Sequence, residues 1–277
     1  MAIKRRDFLA GAGGLLAAPA ALASAATPQT TEMASGPPGV SADPKSPPGH
    51  VFNGSYRGDH LGRIAFPMGG IGAGMICLEG TGALSHVSIR NRPEIFNEPC
   101  VFAAIAIKGA QPTARVLEGP VPTRKLFGPA GAAVGSPGAT FGLPRFANAA
   151  FEARFPFGKV MLTDPLLTLD VEVTGWSPFT PGNADDSSLP VAGLEYRFTN
   201  RAGTSVEAVF SFNAKHFLIP EKAPPELQAV RPAPGGFTLW NGAPPDKPWE
   251  DAAFAATVSE PDVKVNHSWF RGDCGTP

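Results

Sequence analysis

The sequence predicts an all-β protein, a large antiparallel two-sheet β-sandwich preceded by a signal peptide and a disordered linker. Two observations predict the sandwich. Apolar and polar residues alternate with a period of two along several short segments, which is typical of strands that bury one face. The 277 residues also include 32 glycines and 31 prolines. Because both residue types oppose helix interiors, long helices are not expected.

The first 25 residues have the pattern of a twin-arginine signal peptide. Arg5 and Arg6 precede Phe8-Leu9, and a short apolar run leads to Ala23-Ser24-Ala25. The run is too short and too rich in Gly and Ala to span a bilayer stably. We therefore expect cleavage after Ala25 and export of the folded chain to the bacterial periplasm or exterior. The alternative is a disordered basic tail.

Residues 26–55 are rich in Pro, Gly, Ser and Thr and predict a disordered linker, so the sandwich domain is expected at 56–277. Cleavage after residue 25 removes three basic residues and one acidic residue, which moves the net charge from −1 to −3. A chain with this charge has no basic block for nucleic acid or anionic lipid.

The cysteines Cys77, Cys100 and Cys274 are too few for a disulfide framework, and their number is odd. We expect Cys77 to be a buried free thiol, because it lies in an apolar run. The cysteines and histidines show no metal-ligand spacing, so neither a metal nor a cofactor is expected.

The predicted strands follow one another with Gly or Pro in the connections. They lie at 75–78, 84–89, 101–107, 167–173, 192–198, 204–213 and 263–269. Gly80-Thr81-Gly82 is a tight turn between the first two strands. Asn200-Arg201-Ala202-Gly203 is a plausible hairpin turn between two of the clearest strands. Residues 128–142 are expected to form a loop.

The glycine-rich turn Gly69–Gly74 suggests a phosphate loop at first sight. The spacing excludes a dinucleotide fingerprint, because Met75 stands where a third glycine is needed, and no Lys-Ser/Thr follows. Four glycines in six residues instead predict that another backbone approaches closely. We also expect Gly72→Val to destabilise the domain by more than about 1 kcal/mol.

No acidic pair in the sequence has the pattern of a catalytic site. Asp170 and Glu172 share one face of a strand, but that face is expected to be solvated. Asp164 precedes a proline at an expected bend, and Asp185-Asp186 lacks the spaced oxygen ligands of a calcium loop. We therefore predict no catalytic, cofactor-binding or metal-binding residue in this chain.

The histidines and tryptophans leave weaker alternatives open. His86 lies on a predicted strand, where a structural role is expected before that of a base, and no G-x-S-x-G marks a nucleophile. Trp240 and Trp249 flank the Pro-rich segment 241–248. That arrangement suits an exposed sugar platform or a lid, although packing on a neighbouring surface is the commoner role for such residues.

A series of short motifs resembles the N-terminal domain of family 116 glycoside hydrolases, the β-glucosidase and non-lysosomal glucosylceramidase group. The motifs occur in the family's order over residues 60–215. They are FPMGGIGAG at 66–74, Gly80-Thr81-Gly82, NRPEIF at 91–96, FAAI at 102–105, RVLEG at 115–119, GLPRF at 142–146, FPF at 155–157, PFTP at 178–181 and SLPVA at 188–192.

The resemblance implies a non-catalytic two-sheet module that packs on a helical (α/α)₆ domain. In the family, that helical domain carries a Glu nucleophile and an Asp acid/base, and no residue here matches their motifs. We expect the chain to be a truncated product that is inactive alone. A stand-alone carbohydrate-binding sandwich and a structural envelope domain are the alternatives. The corner formed by Gly69–Gly74 with Arg90, Asn91 and Arg92 is expected to face the helical domain.

Overall fold

Antiparallel strands make up most of the ordered structure. The computed structural model describes residues 54–89, 92–94, 97–126, 140–218, 224–260 and 262–266. Within these ranges, the only α-helices are two four-residue turns of helix, α1 (Thr123–Leu126) and α2 (Ala184–Ser187). The strands pair only in antiparallel fashion in the described sheets, which confirms the predicted all-β class.

The largest layer is a five-stranded sheet with the strand order β1-β7-β8-β9-β10. Its strands are β1 (Tyr56–Arg57), β7 (Asn148–Arg154), β8 (Phe157–Thr163), β9 (Leu169–Trp176) and β10 (Gly193–Asn200). Along β9 the side chains of Leu169, Val171 and Val173 are buried, whereas Asp170 and Glu172 are only half-buried. The apolar positions of the period-two pattern therefore form the inner face of this sheet.

Three smaller sheets complete the described structure. The first contains β2 (Ala65–Met68), β3 (Met75–Glu79) and β4 (Leu84–Ser88), and the second contains β5 (Val101–Ile107), β6 (Thr113–Val116) and β11 (Ala208–Ala214). The third contains β12 (Gln228–Ala233), β13 (Gly236–Asn241) and β14 (Ala252–Thr257). The hydrogen-bonded strands are thus divided among four sheets.

One apolar core joins the five-stranded sheet to the first two of these sheets. Its fully buried members come from β8 and β9 on one side and from β2, β3 and β5 on the other, and include Val160, Leu162, Val171, Val173, Met68, Leu78 and Ile105. The rings of Phe66 and Phe151 cross the two layers with centroids 6.2 Å apart. Burial of each such side chain stabilises the fold by about 1.5–3 kcal/mol, so this contact fixes the sandwich.

The third small sheet meets the body at the segment 215–217. Its buried Leu239 is outside the main core cluster. The rings of Phe217 and Phe254 meet at 5.0 Å, and Nε2 of His216 lies 2.9 Å from the backbone oxygen of Trp240. The segment 215–217 therefore links this sheet to the sandwich.

The predicted hairpin at Asn200–Gly203 is wrong. β10 pairs with β9 and β11 pairs with β5, so the chain crosses between sheets at this point instead of folding back. The Asn200 side chain accepts a bond from the Ala202 amide and donates to the Thr204 carbonyl, which is turn chemistry that a crossover can also use. Side chains still connect the two strands, because Phe210 of β11 lies 5.1 Å from Tyr196 of β10.

The strand predicted at 263–269 is also not found in its described part. Residues 262–266 have no regular structure, and 267–269 lie outside the described residues. The Val263 and Val265 alternation has no partner strand there, and both side chains are exposed. Alternation alone cannot supply the neighbouring edge that a strand needs. Most of the predicted loop 128–142, the signal peptide and nearly all of the linker also lie outside the described residues.

The glycine-rich turn at 69–74 is held by another backbone, as its composition predicts. The Ile71 amide donates to the Ser187 carbonyl at 2.8 Å, and the Gly69 amide donates to Oγ of Ser177 at 2.8 Å. A Cβ on Gly70 would lie 2.2 Å from the backbone oxygen of Leu189. The approaching backbone thus belongs to the loop between β9 and β10 of this same chain.

We expect Gly70→Ala to destabilise the domain by about 1–3 kcal/mol, because the added methyl group must displace the backbone at Leu189. Urea unfolding measures the change. Gly203→Ala is the matched control, since no atom lies within 4 Å of its added Cβ. Gly72 differs from both positions. Its φ of 73° would strain any other residue, but no atom lies close to an added Cβ. Equal stabilities for the Gly70 and Gly203 variants would contradict the close approach.

Candidate functional site

Five charged side chains gather at one end of the sandwich, and four of them line a small cleft. We call Glu79, Glu98, Glu118, Lys125 and Arg145 the charged cluster. Glu79 ends β3, Glu118 follows β6, and Lys125 lies in α1. The Gly119 amide donates to the Thr81 carbonyl at 2.7 Å, which ties the chain after β6 to the β3–β4 turn. Backbone contacts therefore bring the acidic residues together.

Lys125 is the centre of the cluster. Its Nζ donates to Oε2 of Glu79 at 2.6 Å and also to Oε1 of Glu98. The Lys125 side chain is 4% exposed and that of Glu79 is 5% exposed. A buried ammonium is tolerated only when carboxylates satisfy it, so these bonds fix α1 against the sandwich.

A second ion pair closes the cluster on its other side. Nη2 of Arg145 donates to Oε2 of Glu118 at 3.1 Å, and both side chains are buried. The guanidinium carbon lies 5.9 Å from the centroid of the Phe141 ring, within the range of a cation–π contact. The loop that precedes β7 is held to the sandwich in this way.

Burial shifts the acid–base chemistry of the cluster. Loss of water raises the pKa of the Glu118 carboxyl, the Arg145 guanidinium opposes the rise, and the charge of Glu79 adds to it. Burial, with a smaller contribution from Glu118, also raises the pKa of the Tyr196 phenol. Burial therefore disfavours the charged form of Glu118, and the Arg145 guanidinium offsets part of that cost.

The cleft beside these groups is small. Its volume is about 20 Å³, and its lining includes Thr81, Glu98, Glu118, Lys125 and Arg145. A cavity of that size holds about one water molecule, far less than a sugar ring needs. Glycoside hydrolysis places a substrate between two carboxylates. Here the carboxylates face cations of the same chain. The geometry therefore suits ion pairs that hold segments of the domain together, and it leaves no place for a glycosidic bond.

The motifs of the sequence contain part of this cluster, although its role was not predicted. Glu118 lies in RVLEG and Arg145 in GLPRF, 27 residues apart. Neither motif indicates that the two side chains meet. Glu79, Glu98 and Lys125 carry no local signal, because their contacts join distant segments and depend on the fold.

The acidic candidates from the sequence have structural partners. Oδ1 of Asp170 pairs with Nε of Arg201 at 3.1 Å, and Oε1 of Glu172 pairs with Nζ of Lys159 at 3.2 Å. Asp164 accepts a hydrogen bond from the Leu166 amide and pairs with Arg115, so it stabilises the expected bend.

Asp185 and Asp186 lie in α2, where the Asn183 side chain accepts a bond from the Asp186 amide. No cluster of three or more His, Cys, Asp or Glu residues suited to a metal ion occurs in the described part of the chain. None of the helices described is long and apolar enough to cross a membrane.

His86 is the one candidate base with an unusual conformation. Its φ is 54°, and its Nδ1 lies 2.5 Å from Oγ of Ser85. Ser85 is almost completely buried, whereas His86 is only partly buried, so the hydroxyl itself is shielded from a substrate. His86 lies where the pairing of β4 with β3 is irregular, and the backbone amides of His86 and Val87 both donate to Asn97, so its unusual φ is a structural feature.

The two tryptophans of the suggested sugar platform differ in how open their rings are. The Arg231 guanidinium carbon lies 4.0 Å from the Trp240 ring centroid and covers one face of that ring. Trp249 is 66% exposed.

Cys77 is buried and free, as predicted, and burial raises the pKa of its thiol to about 11.

Of the predicted arginine corner, only Arg92 can be placed. Nε of Arg92 lies 3.1 Å from Oε1 of Glu94, and the arginine is 81% exposed. Arg90 and Asn91 lie outside the described residues. The described arginine thus makes a surface ion pair of its own.

We expect the free energy of unfolding to depend on pH through Glu118. Its pKa is raised on folding, so the folded state binds the proton more firmly and stability falls as the pH rises above about 4.5. One such group changes the slope by at most about 1.4 kcal/mol per pH unit. Glu118→Gln should flatten the profile measured by urea unfolding between pH 4 and 8. The exposed Glu195→Gln serves as control, and identical slopes in all three proteins would contradict this role.

Comparison with known families shows which family this domain belongs to. The family model described as beta-glucosidase 2, glycosyl-hydrolase family 116 N-term, matches residues 65–266. No curated protein sequence gives a significant match to the chain. The matched residues include every element from β2 to β14 and all five members of the charged cluster. The chain therefore belongs to the N-terminal domain family of glycosyl hydrolase family 116.

Proposed function

We propose that this domain is the non-catalytic N-terminal module of a retaining β-glucosidase or glucosylceramidase-like enzyme. It packs against a helical (α/α)₆ catalytic domain and supports it, and the β-glucoside substrate is bound through that domain. The observation that carries the proposal is the family match over 65–266, which is a match to the N-terminal part of these enzymes.

The charged cluster favours a structural role for this domain over a catalytic role. A retaining glycosidase keeps two carboxyl groups about 5–5.5 Å apart with a sugar between them. The cleft of about 20 Å³ has no such room. Glu79 and Glu118 are also occupied by Lys125 and Arg145, so neither is free to attack or protonate a substrate.

We further propose that the protein is exported by the twin-arginine route to the periplasm or the cell exterior. The support is the sequence around Arg5 and Arg6, with its short apolar run and the Ala23-Ser24-Ala25 site. A domain held by buried ion pairs and a large apolar core suits a route that carries folded proteins.

A carbohydrate-binding role is the second candidate, and the exposed ring of Trp249 favours it. Electrophoresis through gels that contain soluble β-glucan separates the two candidates. Retardation of the chain that Trp249→Ala abolishes would favour a glycan-binding module. Unretarded migration of both proteins would favour the supporting module.

The purified chain should not hydrolyse aryl β-glucosides, because the carboxylates of the charged cluster are paired with cations beside a cleft too small for a sugar. Release of nitrophenol from the β-glucoside measures the activity. A mock purification from the same host controls for contaminating glucosidase. Turnover that exceeds the mock level and disappears in Glu118→Gln would overturn the proposal.

Changing both Arg5 and Arg6 to Lys should abolish export, because the twin-arginine route requires the paired guanidinium groups. Cell fractionation followed by immunoblotting measures the periplasmic share. Arg57→Lys, a conservative change on the exposed surface of the domain, should leave export unchanged. An undiminished periplasmic share in the double variant would show that another route carries the protein.

A further inference from the structure

The end of the sandwich opposite the charged cluster exposes an apolar surface. We call it the apolar loop end, and it comprises the loops 69–74, 155–156 and 177–192. Five large apolar side chains on these loops are exposed: Ile71, Phe155, Phe179, Leu189 and Val191. Phe155 is the most open of them, with 73% of its surface exposed. Apolar side chains that cluster in this way on a soluble domain mark an interaction surface.

The topology of the five-stranded sheet brings two of these loops together. Arg154 faces Phe157 across the β7–β8 pair, and Trp176 faces both Phe157 and Gly193. The β7–β8 turn and the β9–β10 connection therefore leave the sheet at the same end. The rings of Phe155 and Phe179 meet edge to face, with centroids 4.9 Å apart, and join the two loops.

The third loop is fastened to the same end by its backbone. The Ile71 amide donates to Ser187, and Gly70 lies against Leu189 with no space for a Cβ. Oγ of Ser187 also accepts from the Thr180 amide and donates to the Asn183 carbonyl. Because the loops are fixed in advance, binding a partner here costs little ordering entropy.

The charge of this surface indicates what it binds. The loops 69–74 and 177–192 contain no lysine, arginine or histidine, and their charged residues are Asp185 and Asp186, both exposed. Arg154, which directly precedes Phe155, is exposed as well, so two acidic residues and one basic residue flank the apolar centre. A complementary partner has apolar side chains at its centre and basic side chains opposite Asp185 and Asp186. Apolar centres of this kind are typical of permanent interfaces.

We propose that the apolar loop end is the surface on which the helical catalytic domain docks. Phe155 and Phe179 are the apolar anchors, and Asp185 and Asp186 pair with basic side chains of that domain. This inference rests on the proposed function, which supplies the partner: the family match is to the N-terminal part of an enzyme, so a further domain follows in its members.

The test measures binding of this chain to the helical catalytic domain of a family 116 β-glucosidase supplied in trans. The double variant Phe155→Ser/Phe179→Ser should bind at least tenfold more weakly, because both anchors are lost. Leu166→Ser is the matched control, since Leu166 is 82% exposed and lies in the β8–β9 turn at the opposite end. It should bind like the unchanged chain. Asp185→Lys/Asp186→Lys should also weaken binding, and the loss should shrink as salt rises.

Each other outcome counts against the inference. If the unchanged chain and the Phe155/Phe179 variant bind equally well, the docking surface lies elsewhere while the proposed function stands. Failure of the unchanged chain to bind would contradict the proposed function as well. If sedimentation instead shows a dimer of this chain that the Phe155/Phe179 variant cannot form, the surface serves a second copy.

Discussion

Burial of the inner face of the five-stranded sheet is the constraint on which the rest of this structure depends. Val160, Leu162, Val171 and Val173 are almost fully buried against side chains of β2, β3 and β5. The two layers share one core, so the loops at both ends of the strands are placed by the register of β7 to β10. The charged cluster and the apolar loop end occupy opposite ends of the same sheet for this reason.

The alternation of apolar and polar residues was sufficient to predict the fold class and several strands. β5, β9, β10 and β11 lie close to their predicted positions, and the turn at Gly80-Thr81-Gly82 joins β3 to β4 as expected. The pairing of strands was less predictable. The segment 200–203 has hairpin composition, yet β10 and β11 belong to different sheets. Turn residues specify a local bend, whereas the choice of partner strand depends on which core each face completes.

The charged cluster shows a second limit of local patterns. Lys125 and Glu79 are 46 residues apart, and Lys125 and Glu98 are 27 apart. No short motif connects such positions. The motifs RVLEG and GLPRF contain the Glu118–Arg145 pair, but only the fold shows why both ends of that pair are charged. The close contact at the glycine-rich turn was easier to predict, because a position that another backbone approaches closely requires glycine, which the sequence shows directly.

The two ends of the sandwich use opposite physical chemistry, and this contrast bears on function. At one end, carboxylates that could in principle do acid–base work are bonded to Lys125 and Arg145 and shielded from water, so their charges are satisfied within the domain. At the other end, the loops are equally well fixed but leave Phe155, Phe179 and Ile71 facing outward. This domain pairs the charges of the cluster internally and leaves the apolar side chains of Phe155, Phe179 and Ile71 open on well-fixed loops. Its contribution to an enzyme is therefore expected through contact with another folded surface, and the main chemistry of that contact is apolar packing.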